Sequence, residues 1–256
     1  MGIKAILRIQ KIILEKIGCQ ANGIVRILDL GCGKGAFTSA VSSMQGTEVY
    51  GTDIDLRSIQ YAVSQNSNGR AHYFVGNLES LALKHSFDVL ICTDVIEHMP
   101  DTVRFVHLLN SLLKPDGILL LGVPNAWGPF ELLSDFRNGV VRCIRFLKIK
   151  KIFSFIHRRM MKDISETQSF NLGSPHVQHF HLGSVVRLFR HSGFKLTGVE
   201  PLSFIIISLL MNTPLGLFFK PSSKLFIMLE KIDGILVDFM PRTLAGSWLF
   251  EIRKKV

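Results

Sequence analysis

Through the first half of the chain, short apolar runs alternate with stretches whose apolar residues recur at helical spacing. Val25–Leu30 predicts a strand, 37–44 a helix, 48–51 a strand and 56–64 a helix. Strands follow over 73–75 and 87–92, a helix over 102–113 and a strand over 117–123. Such alternation builds βαβ units around a parallel sheet, so an α/β fold is expected. After Pro124-Asn125 the rhythm stops, and 126–175 reads as an insertion too long for a simple connection. It resumes with a helix over 182–191, ended by Gly193, and a strand over 194–199. A second insertion over 203–243 is strongly apolar, and 247–252 predicts a last strand. Within it and just before it, 201–219 lacks charges and approaches membrane-spanning length, but Asn212, Pro214 and Gly216 interrupt it, so a buried or interfacial element is expected. Residues 1–24 predict an amphipathic helix with Lys4, Arg8, Lys11 and Lys16 set among isoleucines. It is expected to pack on a domain occupying 25–256, with a membrane-surface helix as the alternative.

Composition adds a compartment and a partner. With 256 residues, 47% of them hydrophobic, the chain can bury the core of one large domain. Cys19, Cys32, Cys92 and Cys143 are scattered without paired ligand spacing, which favours a reduced, cytoplasmic protein over a disulfide framework. No signal-type apolar core follows the first basic residues, which argues against secretion. The net charge of +10 suits an anionic partner. Its densest segment, 137–162, interleaves Arg and Lys with Ile, Val and Phe. No nucleic-acid-binding signature accompanies it, so no nucleic acid is expected. The mixture fits an anionic membrane surface and peripheral association instead.

The candidate chemistry begins at Ile27-Leu28-Asp29-Leu30-Gly31-Cys32-Gly33-Lys34-Gly35, an apolar strand that breaks into three alternating glycines. Glycine lets backbone turn sharply and approach a ligand closely. A strand–turn–helix unit at the carboxyl edge of a parallel sheet is a binding place for nucleotide-like cofactors. Asp53 closes the second strand, where a carboxylate can accept from both hydroxyls of a ribose; capping the next helix is its other reading, for which Asp55 is an equal candidate. Asp29 lies inside the first strand, where a buried carboxylate is costly unless paired or hydrogen-bonded. A ligand ammonium would satisfy it, and so would backbone amides of the glycine turn.

The nine-residue stretch closely resembles the first motif of class I S-adenosylmethionine-dependent methyltransferases. Gly51-Thr52-Asp53, Gly76-Asn77-Leu78-Glu79, Phe87-Asp88-Val89-Leu90-Ile91-Cys92 and Leu112-Leu113-Lys114-Pro115-Asp116-Gly117 arrive in that family's order. The resemblance implies a Rossmann-like, seven-stranded, mostly parallel sheet with helices on both faces, and S-adenosyl-L-methionine as cofactor. It places Asp29, Gly31 and Gly33 at the methionine and ribose portion, Asp53 at the ribose, Asn77 and Leu78 at the adenine, and Thr93 in the same site. Asn77 stands where the family more often has Asp, and its carbonyl oxygen can still accept.

Cys92-Thr93-Asp94-Val95-Ile96-Glu97-His98-Met99-Pro100-Asp101 is similar to the strand-four exit of the quinone-biosynthesis O-methyltransferases. On a helical turn Asp94, Glu97 and His98 would share one face. They could hold a divalent cation that polarises an acceptor oxygen, His98 could act as general base, or Glu97 and His98 could shape the cofactor pocket. His176-Val177-Gln178-His179-Phe180-His181 also resembles this branch, where it leads to the pocket side of the sheet and would turn His179 toward the substrate. A zinc site is disfavoured there because the loop brings no carboxylate. Cys32 reads as packing. The function expected is methyl transfer to an oxygen of a hydrophobic, quinone-like or lipid-linked small molecule, with the 126–175 insertion as a lid. A methyltransferase of glycan or sugar precursors, an NAD-dependent oxidoreductase and a catalytically silent membrane-associated binding module are the alternatives.

Overall fold

A computed structural model describes residues 3–19, 24–66, 69–78, 86–129, 177–204, 206 and 223–255. Its centre is a seven-stranded sheet built from β1 (Val25–Leu30), β2 (Thr47–Asp53), β3 (Ala71–Val75), β4 (Phe87–Thr93), β5 (Leu113–Pro124), β6 (Phe194–Ser203) and β7 (Ser247–Lys254), in the order β3-β2-β1-β4-β5-β7-β6. The first five strands pair in parallel, and β7 runs antiparallel between β5 and β6. This is the mostly parallel sheet expected. β1 and β4 are buried on both faces, which is why they read as nearly unbroken apolar runs.

Among the described residues the α-helices are α1 (Ile3–Gly18), α2 (Ala36–Ser42), α3 (Leu56–Gln65), α4 (Thr102–Leu112), α5 (Leu182–Arg190) and α6 (Lys224–Leu236). Two apolar layers flank the sheet. In one, Ala5, Ile9, Ile12 and Ile13 of α1 pack with Val41 of α2 on Ile27, Val89, Ile91, Ile118 and Leu120. In the other, Phe105, Val106 and Leu109 of α4 and Val185 and Phe189 of α5 pack on Leu28, Leu30, Leu90 and Leu121. The isoleucine stripe of α1 is thus engaged by the sheet, while Leu7 and Leu14 stay exposed.

The largest departures from the sequence pattern are at β5, β6 and α6. β5 starts at Leu113 because that residue already pairs with Phe87, before a bulge and the Lys114–Gly117 turn. In that turn Lys114 Nζ donates to the buried Asp88 carboxylate at 2.9 Å, so the string that marks the family works here as a tie between β4 and β5. β6 runs on to Ser203 by pairing with β7 through two irregularities. α6 lies inside the second expected insertion. Ser223 caps it by accepting from the Phe226 amide at 3.2 Å, and apolar residues all round had blurred its period. Residues 130–176, which contain most of the first expected insertion and the 137–162 basic segment, lie outside the described residues, as does most of 201–219. Among the described residues no helix is long and apolar enough to cross a membrane.

Ile9→Ala should lower unfolding stability by about 2–4 kcal/mol because it opens a cavity under the sheet, whereas Leu14→Ala should change it by under ~0.5 kcal/mol. Urea midpoints check this; equal losses would remove α1 from the core.

Candidate active site

The glycine turn is latched to the neighbouring strand. Gly31 and Cys32 amides both donate to the Thr52 carbonyl, at 2.8 and 2.9 Å. Gly31, Gly33 and Gly35 have φ of +69°, +52° and +81°, a conformation that other residues adopt at a cost. A Cβ at Gly31 would stand 2.4 Å from Val95 Cγ2, so both conformation and space require glycine there. The Gly33 amide donates to Asp53 Oδ2 at 2.8 Å, and the Asp55 amide donates to Asp53 Oδ1 at 2.9 Å. Asp55 caps α3, accepting from the Ser58 amide and hydroxyl. Asp53 is therefore not the cap; its carboxylate spans the glycine turn and the end of β2.

Behind the turn sits Asp29, 1% exposed. Its partner is Thr38 of α2, whose hydroxyl donates to Oδ2 at 2.5 Å, rather than the amides of the glycine turn. Burial raises the Asp29 carboxyl to about 7; Thr38 opposes that shift and the nearby Asp53 charge adds to it. Tyr73 of β3 also bonds to Thr38, and burial pushes its phenol to about 12. Burial raises the Cys32 thiol far out of the reactive range, in keeping with a packing role. Thr38 and Tyr73 were absent from the sequence reading. The available signal was a hydroxyl one turn into the helix that follows the glycines.

The remaining cofactor candidates lie along the same edge. Gly76 donates to the Asp53 carbonyl at 3.0 Å and leads into exposed Asn77 and buried Leu78. Thr93 is buried at the end of β4, paired with Gly122 of β5.

The strand-four exit corrects the cation argument. Asp94 takes φ +55° and lies outside the single 3-10 turn Ile96–His98, so Asp94, Glu97 and His98 do not share a helical face. Among the described residues no group of three or more His, Cys, Asp or Glu is placed to hold a metal ion. Glu97 is buried, and its carbonyl accepts from the Val177 and Gln178 amides, both at 2.9 Å. That pair of bonds ties the segment bearing exposed His179 to the turn bearing half-buried His98. The Ala126 amide then donates to the Phe180 carbonyl at 3.0 Å, and the Trp127 and His181 rings stand 4.4 Å apart. Backbone bonds thus join the 177–180 segment to the turn after β4 and to the residues that follow β5. Trp127 was not foreseen; it lies in the expected insertion, where no periodicity marked it. His176 lies outside the described residues.

Residues 4–199 match the family described as Methyltransferase domain. A ubiquinone biosynthesis O-methyltransferase of Haemophilus ducreyi is 34% identical over 119 residues, covering 43% of this chain and 50% of that protein. One from Salmonella paratyphi A is 25% identical over 202 residues, covering 73% of this chain and 78% of that protein. The chain thus spans about half the length of the first relative and more than three quarters of the second. The solved S-adenosylmethionine-dependent methyltransferase of Mesorhizobium loti superposes with a TM-score of 0.56 at 17% identity over 98% of each chain, a likeness of fold. These matches set aside the oxidoreductase alternative. With its glycine turn, its carboxylates at the ends of β1 and β2 and its β3-β2-β1-β4-β5-β7-β6 sheet, the chain belongs to the methyltransferase-domain family.

Proposed function

We propose that the chain transfers a methyl group from S-adenosyl-L-methionine to an oxygen of a hydrophobic, quinone-like or lipid-linked acceptor. The observation that supports this reading is the docking of 177–178 on the Glu97 carbonyl, which ties the segment bearing His179 to the turn bearing His98. The names of the two curated relatives agree with an oxygen acceptor. On composition, the 137–162 segment would face an anionic membrane at which the protein works peripherally in the cytoplasm.

The cofactor supplies a methyl group on a cationic sulfur, which an in-line oxygen nucleophile can take. The chain's part is to bind, orient and move one proton. Asp29 has the burial and the raised carboxyl that a ligand ammonium would relieve. Gly31 and Gly33 offer backbone without a Cβ, and Asp53 can exchange its bond from Gly33 for ribose hydroxyls. Leu78 gives an apolar wall to the adenine, Asn77 its carbonyl oxygen, and Thr93 closes the floor at the end of β4. His98 takes the acceptor's hydroxyl proton on a ring nitrogen, Glu97 positions that turn through its carbonyl, and His179 contacts the acceptor. No step requires a divalent cation.

His98→Ala should lower kcat by about 10²–10³-fold with little change in cofactor Kd, read by labelled methyl transfer to phenolic acceptors and by calorimetry. Transfer only to soluble sugar nucleotides would overturn the acceptor class.

Cofactor affinity should rise as pH approaches about 7 and level off above it, because the ammonium needs the Asp29 carboxylate that burial holds neutral below that pH. Thr38→Val should shift the rise to higher pH, since Thr38 is what holds the carboxyl down. For the free protein the sign reverses. A carboxyl raised in the fold stabilises it at acid pH, and that contribution is lost as pH climbs from the ordinary carboxylate range through about 7. Asp29→Asn should therefore abolish the pH rise in affinity yet increase the thermal stability of the free protein above that pH. A pH-independent wild-type Kd would remove Asp29 from cofactor binding.

A further inference from the structure

We propose that the outer face of α6, continued by the turns after it, is a docking surface for an anionic lipid bilayer. Leu225, Met228, Ile232, Ile235 and Phe239 recur at intervals of three and four residues, and all five are exposed. That spacing lays them in one stripe about 20 Å long. Ile235 is 59% and Phe239 81% exposed, where a soluble surface would ordinarily carry polar groups.

The opposite side of α6 is engaged by the protein. Phe226 and Gly234 are buried, and buried Asp233 accepts from the Phe204 and Ile206 amides at 2.8 Å each. Glu230 accepts from the Ile3 amide at 2.8 Å, Lys4 Nζ reaches the Gly234 carbonyl at 3.0 Å, and Lys4 pairs with Asp238. The helix cannot turn its apolar stripe inward without breaking these ties.

Charge selects the occupant. Asp233 is buried on the protein side and Asp238 is paired with Lys4, while Lys224, Lys231 and Arg242 stand exposed. A second copy of a chain of net charge +10 would bring these cations against their own kind across a two-fold contact. An anionic leaflet meets the same cations with opposite charge and receives the apolar side chains.

Location gives the surface a use. Past Phe239, exposed Leu244 lies between Thr243 and Ala245, whose carbonyls accept from the Asn125 side chain at 2.9 and 2.8 Å. Two residues beyond Asn125 is Trp127, 73% exposed on the acceptor edge. The stripe therefore leads along the surface toward the place where a lipid-borne acceptor would enter. That use rests on the acceptor proposed above; the docking itself does not.

Flotation of the full-length protein with phosphatidylcholine vesicles, with and without phosphatidylglycerol, tests the surface. The wild type should float with the anionic vesicles, and Ile235→Glu/Phe239→Glu should lower the bound fraction about tenfold while retaining wild-type cofactor Kd and melting temperature. Lys224→Glu/Lys231→Glu, which leaves the apolar stripe and the 137–162 cations in place, should weaken the preference for phosphatidylglycerol severalfold and serves should the first variant misfold. The proposal is overturned if the wild type does not float, if both variants float as it does, or if light scattering finds a dimer that Ile235→Glu/Phe239→Glu converts to monomer. Methyl transfer by the wild type to a detergent-dispersed acceptor separates the two readings. Flotation without transfer sinks only the acceptor class, and transfer without flotation sinks only the docking surface.

Discussion

A carboxylate buried at the end of β1 is the constraint around which the donor side of this protein is arranged. Asp29 sits where water cannot reach it, with one hydroxyl partner and a second carboxylate nearby. Burying such a group costs free energy unless something completes it. The surroundings accept that cost and keep the position fixed. Thr38 reaches in from α2, Tyr73 buttresses Thr38 from β3, and the glycine turn folds over the top, latched to the Thr52 carbonyl. Gly35 and Gly51 belong to the same arrangement, because a Cβ on either would stand under 3.0 Å from the Tyr73 ring or hydroxyl.

The acceptor side is held together differently. No single buried group organises it. Backbone bonds join segments far apart in sequence: 177–178 to Glu97, Phe180 to Ala126, Asn125 to the 243–246 turn. These bonds hold the stretches of chain that carry His98, His179 and Trp127. Main-chain ties fix where the edge lies without dictating which side chains line it. This suits a family in which fold is shared and acceptor differs.

That contrast explains what the sequence revealed. The strands β1 to β5 and the helices between them follow from period, because each is buried on a face that demands it. The tight turn at Gly31 and Gly33 is legible because positive-φ positions admit few residue types. Thr38 and Tyr73 escaped notice because a hydroxyl in a helix and a tyrosine in a strand are ordinary residues, meaningful only once α2 and β3 bring them together. The shared helical face drawn for Asp94, Glu97 and His98 failed for a local reason. The left-handed Asp94 ends the strand abruptly and leaves room for one 3-10 turn, so an i, i+3, i+4 pattern had no helix to act on. α6 was hidden by apolar residues on both sides, one set facing the protein and the other exposed.

The two sides meet at the β1–β4 boundary, and their geometry limits how they can communicate. Asp29 pairs in register with Ile91, and Thr93 lies two residues further along β4, directly before the turn that carries Glu97 and His98. Gly31, on the donor side, is packed against Val95 at a distance that leaves no space for another side chain. The Val95 carbonyl in turn accepts from the His98 amide at 3.0 Å, and Glu97 of the same turn holds the 177–178 amides. The glycine turn and the turn after β4 therefore meet at Gly31 and Val95, where the close approach leaves no room for a larger residue than glycine.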